Sequence, residues 1–383
     1  MFHYACKGEG ILYNSKMTAL AGALALATSA SASAAARGGY SEADFARVPK
    51  FDVHVHDNVA RDALLDIARK DNFELLSINV DYPDFPPLPL QAAAAMRHRQ
   101  EDPKRFHFAT AFSMKGFGEP GWTERTNAAI DAAVAKGAVA VKVWKNIGMV
   151  VRDKDGRHIF IDDPRFEGVM AHIEKLGIPL IAHQGEPLNC WLPLDQMTTD
   201  NDRSYFREHP EYYMYLHPEE PSYEMLMAAR DRFVAFHPKL SFVGAHMASL
   251  EWSVDRLAVF LDRFPNANVD IAARMTQIQY QSNQDRQKVR NFFIKYQDRL
   301  MYGTDVADNP PNPTRANDEP PTSGNAFEAD VDRSWRSDWR YLATPLTQHV
   351  EDLKANVKGL ELPRSVIDKL YYRNAERIYL HRK

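Results

Sequence analysis

Cysteine is almost missing from this chain. There are two in 383 residues, Cys6 and Cys190. Cys6 precedes an alanine-rich stretch that reads as a removable leader, so an exported mature chain keeps Cys190 alone and forms no internal disulfide. A lone cysteine of this kind reads as a small buried apolar residue rather than a nucleophile. Also missing is any run near the roughly 20 apolar residues that a membrane-spanning helix needs. An excess of positive charge is absent as well. Lys and Arg number 47 against 51 Asp and Glu, a formal net charge of −4, which gives no basic face for nucleic acid. There is no internal repeat. What remains is ordinary globular composition, 45% hydrophobic and 26% charged.

The alanine-rich stretch is MTALAGALALATSASASAAA, Met17 to Ala36. It has an apolar centre from about Ala19 to Ala27. Small residues follow, offering A-x-A sites at Ala32–Ala34 and Ala34–Ala36. That anatomy is a secretory signal, with Lys7 and Lys16 available as its positive end. A start at Met17 would leave the signal without a basic side chain. We read residues 1–36 as a signal or N-terminal extension, expect export to the periplasm or outside, and read residues 37–383 as one domain.

Beyond the leader, short apolar runs alternate with amphipathic segments. FDVHVH precedes RDALLDIARK; FELLSINV precedes PLQAAAAMRHRQ; FHFATAF precedes TNAAIDAAVAKG; VAVKVWK precedes DPRFEGVMAHIEKLG. In the last of these helices Asp163 stands at the N-cap and Gly177 at the C-terminal end. IPLIAH, LSFVGAH, NVDIAA and RLMYGTD read as further strands. Eight strands, most separated by helical patterns, argue for parallel βα units and a closed (β/α)8 TIM barrel, with a doubly wound open sheet as the rival. Two connections are long: Gln184 to about Pro238, rich in aromatics, and Val306 to about Ser337, rich in Pro, Asn and Asp. Both follow strand ends, after strands 5 and 8, and a barrel places them at the mouth where active sites form.

Polar residues gather at strand ends. Strand one ends in His54 and His56, strand five in His183, strand six in His246 and strand eight in Asp305. Period-two alternation puts His54 and His56 on one side, with Phe51, Val53 and Val55 on the other. Strand ends of a barrel converge, so these side chains can meet. Histidine and carboxylate ligands with an open position suit a catalytic zinc or similar divalent ion. His246 reads on its own as ligand, base or packing residue. Arg274, which ends strand seven, NVDIAAR, is a candidate clamp for a substrate carboxylate or a rim salt bridge. Trp191, Tyr205, Arg207, Tyr212 and Tyr213 make either a pocket wall or the small core of their own loop.

These residues together resemble the amidohydrolase superfamily: HVH on strand one, His on strands five and six, Asp on strand eight. Arg373-Asn374-Ala375-Glu376-Arg377-Ile378 is similar to the closing motif of the amidohydrolase-related, aminocarboxymuconate-semialdehyde decarboxylase-like branch. The resemblance covers about residues 50–383. It implies that His54, His56, His183 and Asp305 surround one divalent metal, most simply Zn, and that His246 polarises substrate or moves a proton. Asp305 would take the proton from a metal-activated water and pass it to the leaving group. Some superfamily members bridge two metals through a carboxylated lysine on strand four. Lys142 is in that strand; we expect a one-metal site, in which Lys142 binds an anionic substrate group or is simply a paired lysine. Its neighbour Lys145 is expected in opposite phase. The expected function is hydrolysis of a small amide, ester or lactone, with nonoxidative decarboxylation of a small carboxylic acid as the alternative. Export favours hydrolysis, which needs no cytosolic cofactor. A barrel that binds without catalysis is the third reading, disfavoured by a complete ligand set. The sequence leaves the homo-oligomeric state open.

Overall fold

The computed structural model describes residues 39–83, 85–310 and 325–381. The signal reading of residues 1–36 lies outside them. Nine strands form one sheet: β1 Lys50–Asp57, β2 Phe73–Ile78, β3 Phe106–Ala111, β4 Ala140–Val143, β5 Leu180–Ala182, β6 Phe242–Gly244, β7 Ala267–Asp270, β8 Leu300–Met301 and β9 Val306–Asp308. They run in the order β8-β7-β6-β5-β4-β3-β2-β1-β9, and every neighbouring pair is parallel. Parallel neighbours need crossover helices, and the amphipathic segments supply them: Ala63–Lys70, Leu88–Glu101, Trp122–Ala135, Glu167–Leu176, Tyr223–Phe236, Val254–Arg263 and Met275–Lys295. At the fourth of these Gly177 ends the helix as expected, at φ 69°, while the Asp163 side chain, accepting from the Arg165 amide, caps the 3-10 turn Pro164–Phe166 that leads into it.

The expected strand eight is divided. β8 bonds to β7, and β9, four residues further along the same chain, bonds to β1. Backbone bonds from Val53 N to Tyr302 O (3.0 Å) and from Asp305 N to His54 O (2.7 Å) lace this run to β1. The sheet therefore curls until its two edges belong to one stretch of chain, an arrangement consistent with a (β/α)8 barrel. Phe51, Val53, Leu76, Ile78, Ile181, Val243 and Met301 pack together on its inner side, closed at one end by Ala375, Ile378 and Tyr379. The larger core lies between the sheet and the helices. Asn374 ties the closing helix to β8, donating to the carbonyls of Gln297 (2.7 Å) and Leu300 (2.8 Å). That is the physical use of the Asn in the closing motif.

The strand-one alternation fails at one point. Phe51 and Val53 belong to the inner cluster, whereas Val55 joins the outer one. The pairing of β1 with β2 slips between Asp52 and Val55. Such an irregularity re-aims side chains, as bulges near active sites do. It turns His54 and His56 inward on a strand whose first inward residues are Phe51 and Val53. Asp52, which shares the parity of the histidines, faces the outer layer instead and accepts from Thr304 Oγ1 (2.6 Å) and Trp335 Nε1 (3.0 Å).

The connection after β5 is less irregular than its composition suggests. Short helical turns, the helix Asp200–Glu208 and the crossover helix Tyr223–Phe236 occupy much of it. Cys190, Met197, Phe206 and Tyr213 form a core of their own there, with Trp191 and Tyr205 packed against it. Cys190 is fully buried and its thiol is pushed well up, burial being the main cause, so the apolar reading fits. Of the connection after β8, residues 311–324 lie outside the described ones; Asn325–Ala343 is a helix. Among the described residues no helix is long and apolar enough to cross a membrane.

Candidate metal and active site

The carboxyl ends of β1, β4, β5, β6, β7 and β8 deliver the polar residues to one rim. His54 and His56 are 1% and 5% exposed and His246 is 2% exposed. A buried imidazole must satisfy its ring nitrogens, and each of these does so the same way. His54 Nδ1 lies 3.0 Å from Asp270 Oδ2, His56 Nδ1 lies 2.7 Å from the Ile78 carbonyl, and His246 Nδ1 lies 2.8 Å from the Ala272 carbonyl. Carbonyls and carboxylates only accept, so each Nδ1 carries the hydrogen, and a neutral ring then keeps its lone pair on Nε2; His56 Nε2 also lies in hydrogen-bond range of Asp305 Oδ1.

The Nε2 atoms of His54 and His56 face Asp305. Its Oδ1 is 3.4 Å from His54 Nε2 and 3.1 Å from His56 Nε2. Donor atoms of His54, His56 and Asp305 all lie within 4.8 Å of one another, and so do those of His54, His246 and Asp270. The ring of His246 sits 4.7 Å from that of His54. Imidazoles held by outer acceptors, with a carboxylate among them, are a donor set and surroundings that suit a divalent ion. His54, His56, Asp305 and His246 thus form a candidate site for such an ion. Burial moves the His54 and His246 imidazoles down from their ordinary range, which favours the neutral, ligating form. Burial alone would raise Asp305, but His246, His54 and His56 outweigh it and hold the carboxyl well down. The Asp305 side chain keeps 31% of its surface exposed against 1% for His54 and 7% for His56, so the site is open on the carboxylate side.

His183 reaches the same rim but not the same cluster. Its ring centroid is 4.3 Å from that of His246, while Nε2 points to the Gly185 carbonyl at 3.1 Å. It belongs to neither group of mutually close donors. Lys142 is buried with Nζ 3.3 Å from His54 Nε2, and burial brings its ammonium down to about 8 against the pull of Asp270 and Asp305. Lys145 lies past the end of β4, outside the strand alternation, and pairs with Glu186. Arg274 follows β7 by four residues rather than ending it. It is 8% exposed, donates from Nη1 to the Ala273 carbonyl, and leaves Nε without a partner. Its charge is felt at His183 and His246.

Two site features have no counterpart in the strand-end reading. Asp270 is fully buried beneath His54 and His246. Its carboxyl is held down at about 2, where the nearby His54 overcomes the opposing effect of burial. A polar residue in an otherwise apolar strand was the available signal. The second feature is the backbone after β6. His246, Met247, Ala248 and Ser249 have φ of 55°, 58°, 55° and 57°, one turn of left-handed helix built without glycine. Each such residue costs about 1–2 kcal/mol, and strain of this kind concentrates at functional sites. Surrounding bonds hold it: Ser249 Oγ to the Gly185 carbonyl at 2.8 Å, Arg230 to the Ala248 carbonyl and Tyr223 Oη to the Ser249 carbonyl.

A parallel α/β sheet with imidazoles and a carboxylate gathered at its carboxyl rim defines a metal-dependent enzyme class. The chain belongs to the amidohydrolase family, whose profile matches residues 51–380; its members are metal-dependent enzymes. No match is found among curated proteins. Similar solved structures include 2,6-dihydroxybenzoate decarboxylase from Rhizobium, at 15% identity and TM-score 0.47, covering 87% of this chain and 99% of that one. Another is 4-oxalomesaconate hydratase from Rhodopseudomonas palustris, at 13% identity and TM-score 0.43, covering 86% and 95%. A putative 2-pyrone-4,6-dicarboxylic acid hydrolase from Pseudomonas putida has 11% identity and TM-score 0.38, covering 76% and 94%. At these values the three names belong to those proteins alone.

Proposed function

We propose that this protein is an exported, metal-dependent hydrolase that cleaves an amide, ester or lactone bond in a small organic substrate, on a closed (β/α)8 barrel. One observation supports it above the others: three imidazoles commit Nδ1–H outward, and two of them, His54 and His56, bring Nε2 to 3.4 Å and 3.1 Å from a half-open carboxylate. A single divalent ion held there by His54, His56 and Asp305, with His183 completing the set after a ring rotation, would lower the pKa of water from 15.7 toward about 7. Zinc suits nitrogen and carboxylate donors. Asp305, ionised and open to the mouth, takes the proton of the attacking water and returns it to the leaving group. His246, neutral with a free Nε2 lone pair, accepts or relays a proton beside it. Lys142 and the unpartnered Nε of Arg274 hold an anionic group of the substrate. These same cations support a second reading, nonoxidative decarboxylation of a small carboxylic acid.

A substrate screen on the zinc-loaded mature protein, read for both net water addition and CO₂ release, separates the two. Hydrolytic turnover without CO₂ is the expected result, and CO₂ release in its place overturns the hydrolase. Export is tested by N-terminal sequencing of protein from the cell envelope fraction. A new terminus after Ala34 or Ala36 is expected, and an intact leader contradicts it.

A further inference from the structure

Asp270 turns both carboxylate oxygens on the candidate site. Oδ2 takes the Nδ1–H of His54 at 3.0 Å, and Oδ1 takes the backbone N–H of His246 at 2.8 Å and that of Ala272 at 3.2 Å. The first oxygen decides which nitrogen of His54 is protonated. The second holds the first residue of the left-handed turn, and Ala272, on the same oxygen, supplies the carbonyl that receives His246 Nδ1–H at 2.8 Å. No solvent reaches the group, so water does not substitute for either bond.

We propose that Asp270 is the positioning residue of this site: one carboxylate sets the His54 tautomer, so that its Nε2 lone pair faces the cation, and anchors the turn bearing His246, so that the His246 ring stands beside it. The proposal rests on the cation site proposed above. A merely structural Asp270 would satisfy the two backbone amides and be indifferent to the imidazole. The isosteric Asp270→Asn separates the roles. Its amide oxygen still accepts from His246 and Ala272, while its NH₂ now faces His54 Nδ1 and donates. His54 must then carry its hydrogen on Nε2, where it blocks ligation.

The test uses the full chain stripped with EDTA. Imidazole ¹⁵N shifts, with His54 assigned by comparison with His54→Ala, are expected to show Nδ1–H in wild type and Nε2–H in Asp270→Asn. Zinc affinity by chelator competition is expected to fall about 10–100-fold in the variant, with the melting temperature of the stripped protein little changed. Nε2–H in wild-type His54, or an unaltered tautomer and zinc affinity in the variant, overturns the proposal. Should Asp270→Asn fail to fold, the wild-type tautomer still decides. Absence of zinc binding in wild type itself would sink the cation site, and the tautomer shift would still report on Asp270.

Discussion

Glu251 offers a quantitative test of the buried packing between Arg274 and the connection after β5. It is 1% exposed; Oε1 accepts from the Leu188 amide at 2.8 Å and Oε2 has no partner. Burial is the main cause that pushes its carboxyl up from 4.5 to about 7; Arg274 and the Leu188 amide pull the other way, and Asp202 adds to the rise. Each tenfold change in proton affinity is worth about 1.4 kcal/mol, so the full effect is about 3 kcal/mol. The sign follows from linkage. The folded state binds this proton more tightly than the unfolded chain, so the stability is complete below 4.5 and is lost as pH rises through about 7. Between pH 5 and pH 8.5 the wild type therefore loses about 2–3 kcal/mol on this group's account. Glu251→Gln has the shape of the protonated acid and keeps an acceptor for Leu188. It is expected to lie within about 1 kcal/mol of wild type at pH 5 and to be more stable at pH 8.5, by roughly 3–4 °C in Tm for a domain of this length. Thermal melts of both proteins at both pH values check this. An advantage of equal size at the two pH values, or none at pH 8.5, would refute the reasoning.

His54→Ala is expected to abolish divalent metal retention, measured as metal per chain after gel filtration; a content matching wild type contradicts the assignment. Asp305→Asn is expected to keep much of its metal while turnover falls by about 10²–10⁴, and near-normal turnover excludes the proton-transfer role. Gly303→Ala would set a Cβ 2.9 Å from the Cβ of His54 and 3.2 Å from that of Ala272. Overpacking of this kind costs about 1–3 kcal/mol, so Tm and zinc affinity should fall together, and a variant as stable and as zinc-avid as wild type would show that the β1–β8 contact has slack.

The strand ends were legible because a strand's polar terminus stands out against its apolar body. His54, His56, His246 and Asp305 come together on that signal alone. Asp270 lies inside NVDIAA rather than at its end, so the strand-end signal does not single it out, although a buried carboxylate inside an apolar run is the rarer event. The period-two pattern of strand one does not reveal that Phe51 and Val53 share the inner side with the histidines, since a register slip at a bulge leaves no mark in it. Glu251 follows a left-handed turn of ordinary L-residues, for which sequence carries no periodic signal. The helices within the connection after β5 are short and aromatic, closed by their own cluster around Cys190 and Phe206, so tertiary packing rather than propensity sets them.

The join between the ends of the sheet has a kinetic meaning. His56 and Asp305 are 249 positions apart, and they meet only when the run from β8 to β9 has docked along β1. Contacts of such long range close late because loop-closure entropy must be met first. On the proposed site, ion capture is expected only after that docking, so the uptake of a cation during refolding would report when the two edges of the sheet have met.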